Sequence, residues 1–218
     1  EKFKHENELY GYAPEYFCGP VHFDHKNRAY MLSPYALWVM EGGEWARQEF
    51  GAALAEAFDS YAGTQFTQHK KIVFDENDGA WFIVRMNRKN QGDRNVLIYT
   101  PDQGRTFMPV PEMPEGKIDF EQFTGHNDYP TPRIVTYNTR EPHPAKWTSY
   151  QIMRFYMPKV VDGQPQIGEP VVISEDATGG SQHSGGPATM QTRDDKTSFV
   201  WIEPTPPEED APGMPTYV

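Results

Sequence analysis

Lys71-Ile-Val-Phe-Asp75, then Asn77-Asp78-Gly79, then Ala80-Trp-Phe-Ile-Val84 reads as strand, turn and strand: β-branched and aromatic runs flank a cluster of Asn, Asp and Gly. The same pattern occurs upstream as Gly19-Pro-Val-His-Phe-Asp24, Lys26-Asn27 and Ala29-Tyr-Met-Leu32. A third copy begins at Arg133-Ile-Val-Thr-Tyr137. A fourth pairs Pro187-Ala-Thr-Met-Gln-Thr192 and a turn at Arg193-Asp-Asp-Lys196 with Ser198-Phe-Val-Trp-Ile202. The copies recur about every 50 to 60 residues, near the length of one β-propeller blade. The expected fold class is therefore all-β, a β-propeller of four-stranded blades at roughly 10–62, 63–116, 117–178 and 179–218, the last incomplete.

Composition agrees with many short strands. Gly 18 and Pro 20 favour turns over long helices, and an aromatic content of 14% implies a packed core. With 20 Lys+Arg against 31 Asp+Glu the net charge is −11, which gives no overall electrostatic footprint for nucleic acid. No apolar run approaches the roughly 18 to 20 residues of a membrane-spanning helix, so no membrane insertion is expected. The single cysteine, Cys18, forbids an internal disulfide and argues against a Cys-built zinc site.

Further strands are expected at Asn95-Val-Leu-Ile-Tyr99, Phe107-Met-Pro-Val110, Trp147 to Tyr156 and Glu169 to Ile173, with Asp162-Gly163 as the hairpin turn between the last two. One segment breaks the pattern. Phe50, Leu54, Ala57, Phe58 and Tyr61 have helical spacing, so an outer strand at Glu44 to Phe50 should lead into a short helical turn. The loops at Met113 to Gly116 and Pro204 to Gly213 are Pro-rich, as solvated connectors are.

Thr100-Pro101-Asp102-Gln103-Gly104-Arg105-Thr106-Phe107 resembles the Asp box, Ser-x-Asp-x-Gly-x-Thr-Trp, of the bacterial neuraminidase repeat. Thr replaces the leading Ser and Phe the final Trp. In such a turn the Asp accepts from backbone N–H groups, Gly supplies an unusual φ and the aromatic packs between blades. Thr100, Asp102, Gly104, Thr106 and Phe107 are thus structural. Gly179-Gly-Ser-Gln-His-Ser-Gly-Gly-Pro187, Phe199-Val-Trp201 and Pro212-Gly-Met-Pro-Thr-Tyr-Val218 extend the resemblance to the neuraminidase-repeat family that includes ulvan-lyase-like polysaccharide lyases. This implies a seven-bladed propeller of which about four blades are present, a polysaccharide or oligosaccharide substrate containing uronic acid, and a secreted or periplasmic location. The opening Glu1-Lys2-Phe3, without an initiator Met, and the strand-like Pro215 to Val218 agree with an excerpt whose remaining blades are missing.

Three of the seven histidines, His69, His126 and His183, fall at equivalent places, just before the first strand of copies two, three and four. In a propeller those strands line the central channel, so the three should converge at one mouth. β-Elimination of a uronate needs a group to neutralise the C6 carboxylate, a base for the C5 proton and an acid for the leaving O4. His126-Asn-Asp-Tyr129-Pro-Thr-Pro-Arg133 holds all three residue types. The expected catalytic residues are His126 or His183 as base or neutraliser and Tyr129 as acid; Arg133, His69 and Trp147 are substrate-binding. No cofactor is required, and a structural metal is left open. A bland role competes with each: a histidine before a strand usually just satisfies a hydrogen bond, and Arg133 could cap a loop carbonyl.

His22 and Asp24 share a strand face and resemble a metal pair, but Asp24 aligns with Asp75, which favours a structural turn. Asp75-Glu-Asn-Asp-Gly79 lacks the distal Glu of a calcium loop. Two other functions compete. A sialidase-like exo-glycosidase would draw its carboxylate clamp from Arg28, Arg85, Arg133 and Arg154. A non-catalytic glycan-binding propeller would use aromatic platforms such as Tyr35, Trp38 and Trp147.

Overall fold

The computed structural model describes residues 19–65, 71–113, 117–118, 124–126, 129–142, 149–179, 188–193 and 196–201. Across them the chain is mostly β, built from several small antiparallel sheets and one short helix. It divides into two compact units, Glu1–Met113 with Val160–Gln166, and Pro114–Lys159 with Ile167–Val218.

In the first unit, β1 (His22–Phe23), β2 (Ala29–Leu32), β3 (Ala36–Glu41) and β4 (Glu44–Glu49) form a four-stranded meander. Gly42 and Gly43 turn between β3 and β4 with φ of 58° and 88°, the left-handed pair that a two-residue hairpin needs. The helix α1 (Gly51–Ala57) follows β4, as the spacing of Phe50 and Leu54 predicts. A second sheet contains β5 (Tyr61–Gln65), β6 (Ile72–Phe74), β7 (Ala80–Arg88), β8 (Gln91–Thr100) and β9 (Met108–Pro109). Here β6 pairs with the start of β7 and β5 with its end, so the outermost position is shared by two short strands.

Alternation builds the core. Tyr30 and Leu32, Leu37 and Val39, Ile72 and Phe74, Phe82 to Met86 in steps of two, and Val96 and Ile98 join Phe50 and Leu54 in one buried cluster. The opposite face of the second sheet, carrying Val73, Trp81, Ile83, Leu97 and Tyr99, is buried as well. That double burial explains why β7 and β8 read as continuous apolar runs, not as alternating ones.

The second unit repeats the plan. Strands β10 (Lys117–Ile118), β11 (Thr124–His126), β12 (Tyr129–Pro142) and β13 (Ser149–Tyr156) come first; β10 and β11 both pair with β12, again dividing one strand position. Next along the chain comes a small hairpin, β14 (Lys159–Val161) and β15 (Gln164–Gln166), of which Val160–Gln166 belong to the first unit; the second unit resumes with β16 (Val171–Gly179), the edge strand beside β13. Last come β17 (Ala188–Arg193) and β18 (Lys196–Trp201), paired to each other.

One turn differs from its expected place. Asp162 and Gly163, with φ of 50° and 76°, close the β14–β15 hairpin and do not join β13 to β16, which pair directly. The reason lies at Met157-Pro158: β13 stops at Tyr156, because proline has no N–H to carry the ladder further.

Candidate functional site

The β11–β12 hairpin gathers three of the candidate residues. His126 is the register partner of Tyr129, Thr124 that of Arg133, and the register shifts between the two pairs. Arg133 precedes Ile134, which is fully buried and pairs with Tyr156 of β13. A base-type, an acid-type and a cationic residue therefore share one hairpin. His69, Trp147 and His183 lie outside the described residues.

The turn from Thr100 to Phe107 is a closed set of hydrogen bonds. The Thr106 N–H donates to Asp102 Oδ1 at 2.8 Å, the Thr100 hydroxyl to the same oxygen at 3.1 Å, and the Gly104 N–H to Thr100 Oγ1 at 2.8 Å. Burial opposes the Asp102 charge, but Thr106 and Thr100 outweigh it and hold the carboxyl below the usual range. Gly104 has φ of 83°, and a Cβ there would stand 2.9 Å from Gln48 Cβ of β4. Phe107 lies edge-on to Phe50 and Phe82, at 5.8 Å and 6.2 Å between ring centroids, so the turn is wedged between the two sheets of the first unit.

Two further turns are near-copies at an offset of 51 positions, from Asp24 to Asp75. Asp24 Oδ1 accepts from the N–H groups of Lys26 and Arg28, each at 2.9 Å; Asp75 Oδ1 accepts from those of Asn77 and Gly79 at 2.9 and 2.8 Å. The second oxygen takes the Tyr30 hydroxyl at 2.9 Å in one turn and Trp81 Nε1 at 3.3 Å in the other. Asp24 also holds Arg28 Nε at 2.6 Å. With four donors on a carboxylate 2% exposed, Asp24 serves its own turn and not a metal paired through His22. Among the described residues no group of three or more His, Cys, Asp and Glu is placed to hold a metal ion.

The residue that sequence reasoning missed is Asp78. It occupies the left-handed turn position, φ 63°, equivalent to Asn27, and its carboxylate crosses to the first sheet. There it meets His25, Lys26 Nζ at 2.8 Å and Arg28 at 3.5 Å. Burial opposes its charge, yet Lys26 and His25 prevail and hold Asp78 below the usual carboxylate range. The available signal was an acid at the turn position that Asn27 holds in the first sheet.

Arg28 pairs with Asp24 and Asp78, and Arg85 with Asp93 at 3.1 Å. Trp38 is 5% exposed, with Nε1 donating to Ser33, so it offers no platform for a sugar; Tyr35 is exposed. No helix among the described residues is long and apolar enough to cross a membrane. No protein-family model, curated protein or solved structure matches the chain.

Proposed function

We propose that the chain belongs to a β-propeller that cleaves a uronic-acid polysaccharide by β-elimination. The observation that carries this reading is the register pairing of His126 with Tyr129 on a two-residue hairpin, with Arg133 farther along the same strand. In the reaction Arg133 neutralises the C6 carboxylate and so acidifies the C5 hydrogen. His126 takes that proton, the C5–H electrons form the C4=C5 double bond, the C4–O4 bond breaks, and Tyr129 delivers its proton to the leaving O4. The bond changes balance without a cofactor. His183 is the second base candidate, and His69 and Trp147 contribute to substrate binding. The meanders β1–β4 and β6–β9, with matching Asp turns, support the blade reading.

The test is release of unsaturated uronate, followed by near-ultraviolet absorbance, from a panel of carboxylated polysaccharides. His126→Ala and Tyr129→Phe are each expected to slow the reaction about 10²- to 10⁴-fold, the usual contribution of a positioned acid or base. Rates near wild type in both variants would remove the assignment; hydrolysis without an unsaturated product would replace lyase with hydrolase.

A further inference from the structure

Over the whole chain acids outnumber bases, yet residues 85–94, Arg-Met-Asn-Arg-Lys-Asn-Gln-Gly-Asp-Arg, hold four cations and a single acid. They form the end of β7, a two-residue connection and the start of β8, with Met86 opposite Arg94 and Arg88 opposite Gln91. Neutral groups hold two of these cations in place. Arg88 Nε donates to the Gly92 carbonyl at 2.7 Å, and Arg94 donates to the Pro111 carbonyl at 2.9 Å while its guanidinium lies 5.0 Å over the Phe58 ring. Among the described residues, Arg85 alone of the four is matched by an acid, Asp93. The neighbouring acids Asp59 and Glu112 form no ion pair with Arg88, Lys89 or Arg94 among the described residues. Burial and then the charge of Arg88 lower the Arg94 pKa, so the two guanidinium groups stand close enough to repel. An arriving anion relieves that repulsion.

We propose that the β7–β8 hairpin is a docking surface for a carboxylated polysaccharide chain, an inference that rests on the substrate class assigned above. The exposed amides of Asn90 and Gln91 sit among the cations and can both donate to and accept from sugar hydroxyls. Duplex nucleic acid, with one charge per about 1.7 Å, requires a much broader basic footprint than one hairpin in an acidic chain. Lys89-Asn90-Gln91-Gly92 offers no apolar side chain to insert into a lipid surface.

The experiment measures binding of the full chain to immobilised polyglucuronate as a function of salt. Arg88→Gln with Lys89→Gln is expected to weaken binding about fivefold, since exposed charge pairs contribute modestly, and to flatten the salt dependence while leaving thermal stability unchanged. Asp93→Asn, which releases Arg85, is expected to strengthen binding. Undetectable wild-type binding, unchanged affinity in the double variant, or tighter binding to duplex DNA or phosphatidylserine vesicles would each overturn the proposal. Binding that falls in the double variant while wild type releases no unsaturated product would uphold the surface and reject the lyase reading. Product release with unaltered variant binding would do the reverse.

Discussion

His25 and Asp78, fifty-three residues apart, are joined twice: the backbone N–H of His25 lies 3.1 Å and its Nδ1 3.0 Å from the same carboxylate oxygen of Asp78. The other oxygen takes Lys26 and Arg28, so one buried carboxylate from the second sheet's first turn ties together three residues of the first sheet's turn, His25, Lys26 and Arg28. Asp78→Asn isolates the charge, because Asn tolerates the left-handed backbone as Asn27 does. The variant is expected to lose about 1.5 to 3 kcal/mol, the range for hydrogen bonds to charged groups, measured by urea unfolding with an unchanged slope.

Acid should have a matching effect. Asp78 and Asp102 are both held below the usual carboxylate range in the folded state. Each therefore binds its proton more readily when unfolded. Their stabilisation is present above the unfolded value near about 3.9 and drains away as pH falls through the lower folded values. Thermal unfolding between pH 5 and pH 2 (roughly the window these values set) should show a falling midpoint, and Asp78→Asn together with Asp102→Asn should flatten it. An equally steep decline in the double variant would place the acid sensitivity elsewhere.

The strands were readable in the sequence because burial imposes a period of two on Tyr30 and Leu32 or Ile72 and Phe74, and the Asp24 and Asp75 turns because each carboxylate finds partners within six residues of itself. The His25–Asp78 link was not readable, since it depends on how two sheets stack. Trp38 shows the same limit: strand alternation gives its face but not what covers that face. Asp162-Gly163 was recognised as a hairpin turn, but which strands it joins was decided by Pro158, whose missing N–H ends β13. Of the candidate site, His126, Tyr129 and Arg133 were legible as one segment because a single hairpin brings them together.

Phe107 is expected to be the costliest residue of its turn. It is half-buried against Phe50 and Phe82, so Phe107→Ala should cost about 2 to 4 kcal/mol, at or below the core Phe→Ala range. Gly104→Ala should cost more than about 1 kcal/mol through its positive φ alone. Gln48→Ala should not rescue it, because the nearest atom to the added methyl is Gln48 Cβ itself. Chemical denaturation of the single and double variants checks both statements.

Gly79 makes the opposite case, in which space and not backbone conformation forbids a side chain. A Cβ there would stand 2.4 Å from the Tyr99 hydroxyl and 2.6 Å from Asp75 Oδ2, and no left-handed φ is involved. Gly79→Ala is expected to cost about 1 to 3 kcal/mol, the range for overpacking. Tyr99→Phe should recover only part of this, since the ring carbon Cε2 remains 2.5 Å away. The same tyrosine predicts an alkaline limit. Burial, then the charge and hydrogen bond of Asp75, push its pKa up to about 12. A group raised on folding stabilises below its unfolded value of about 10 and loses that contribution as pH climbs toward the folded one. Wild type should therefore lose stability between these values more steeply than Tyr99→Phe, read as the difference in unfolding midpoint across that range; parallel curves would show that Tyr99 does not set the limit.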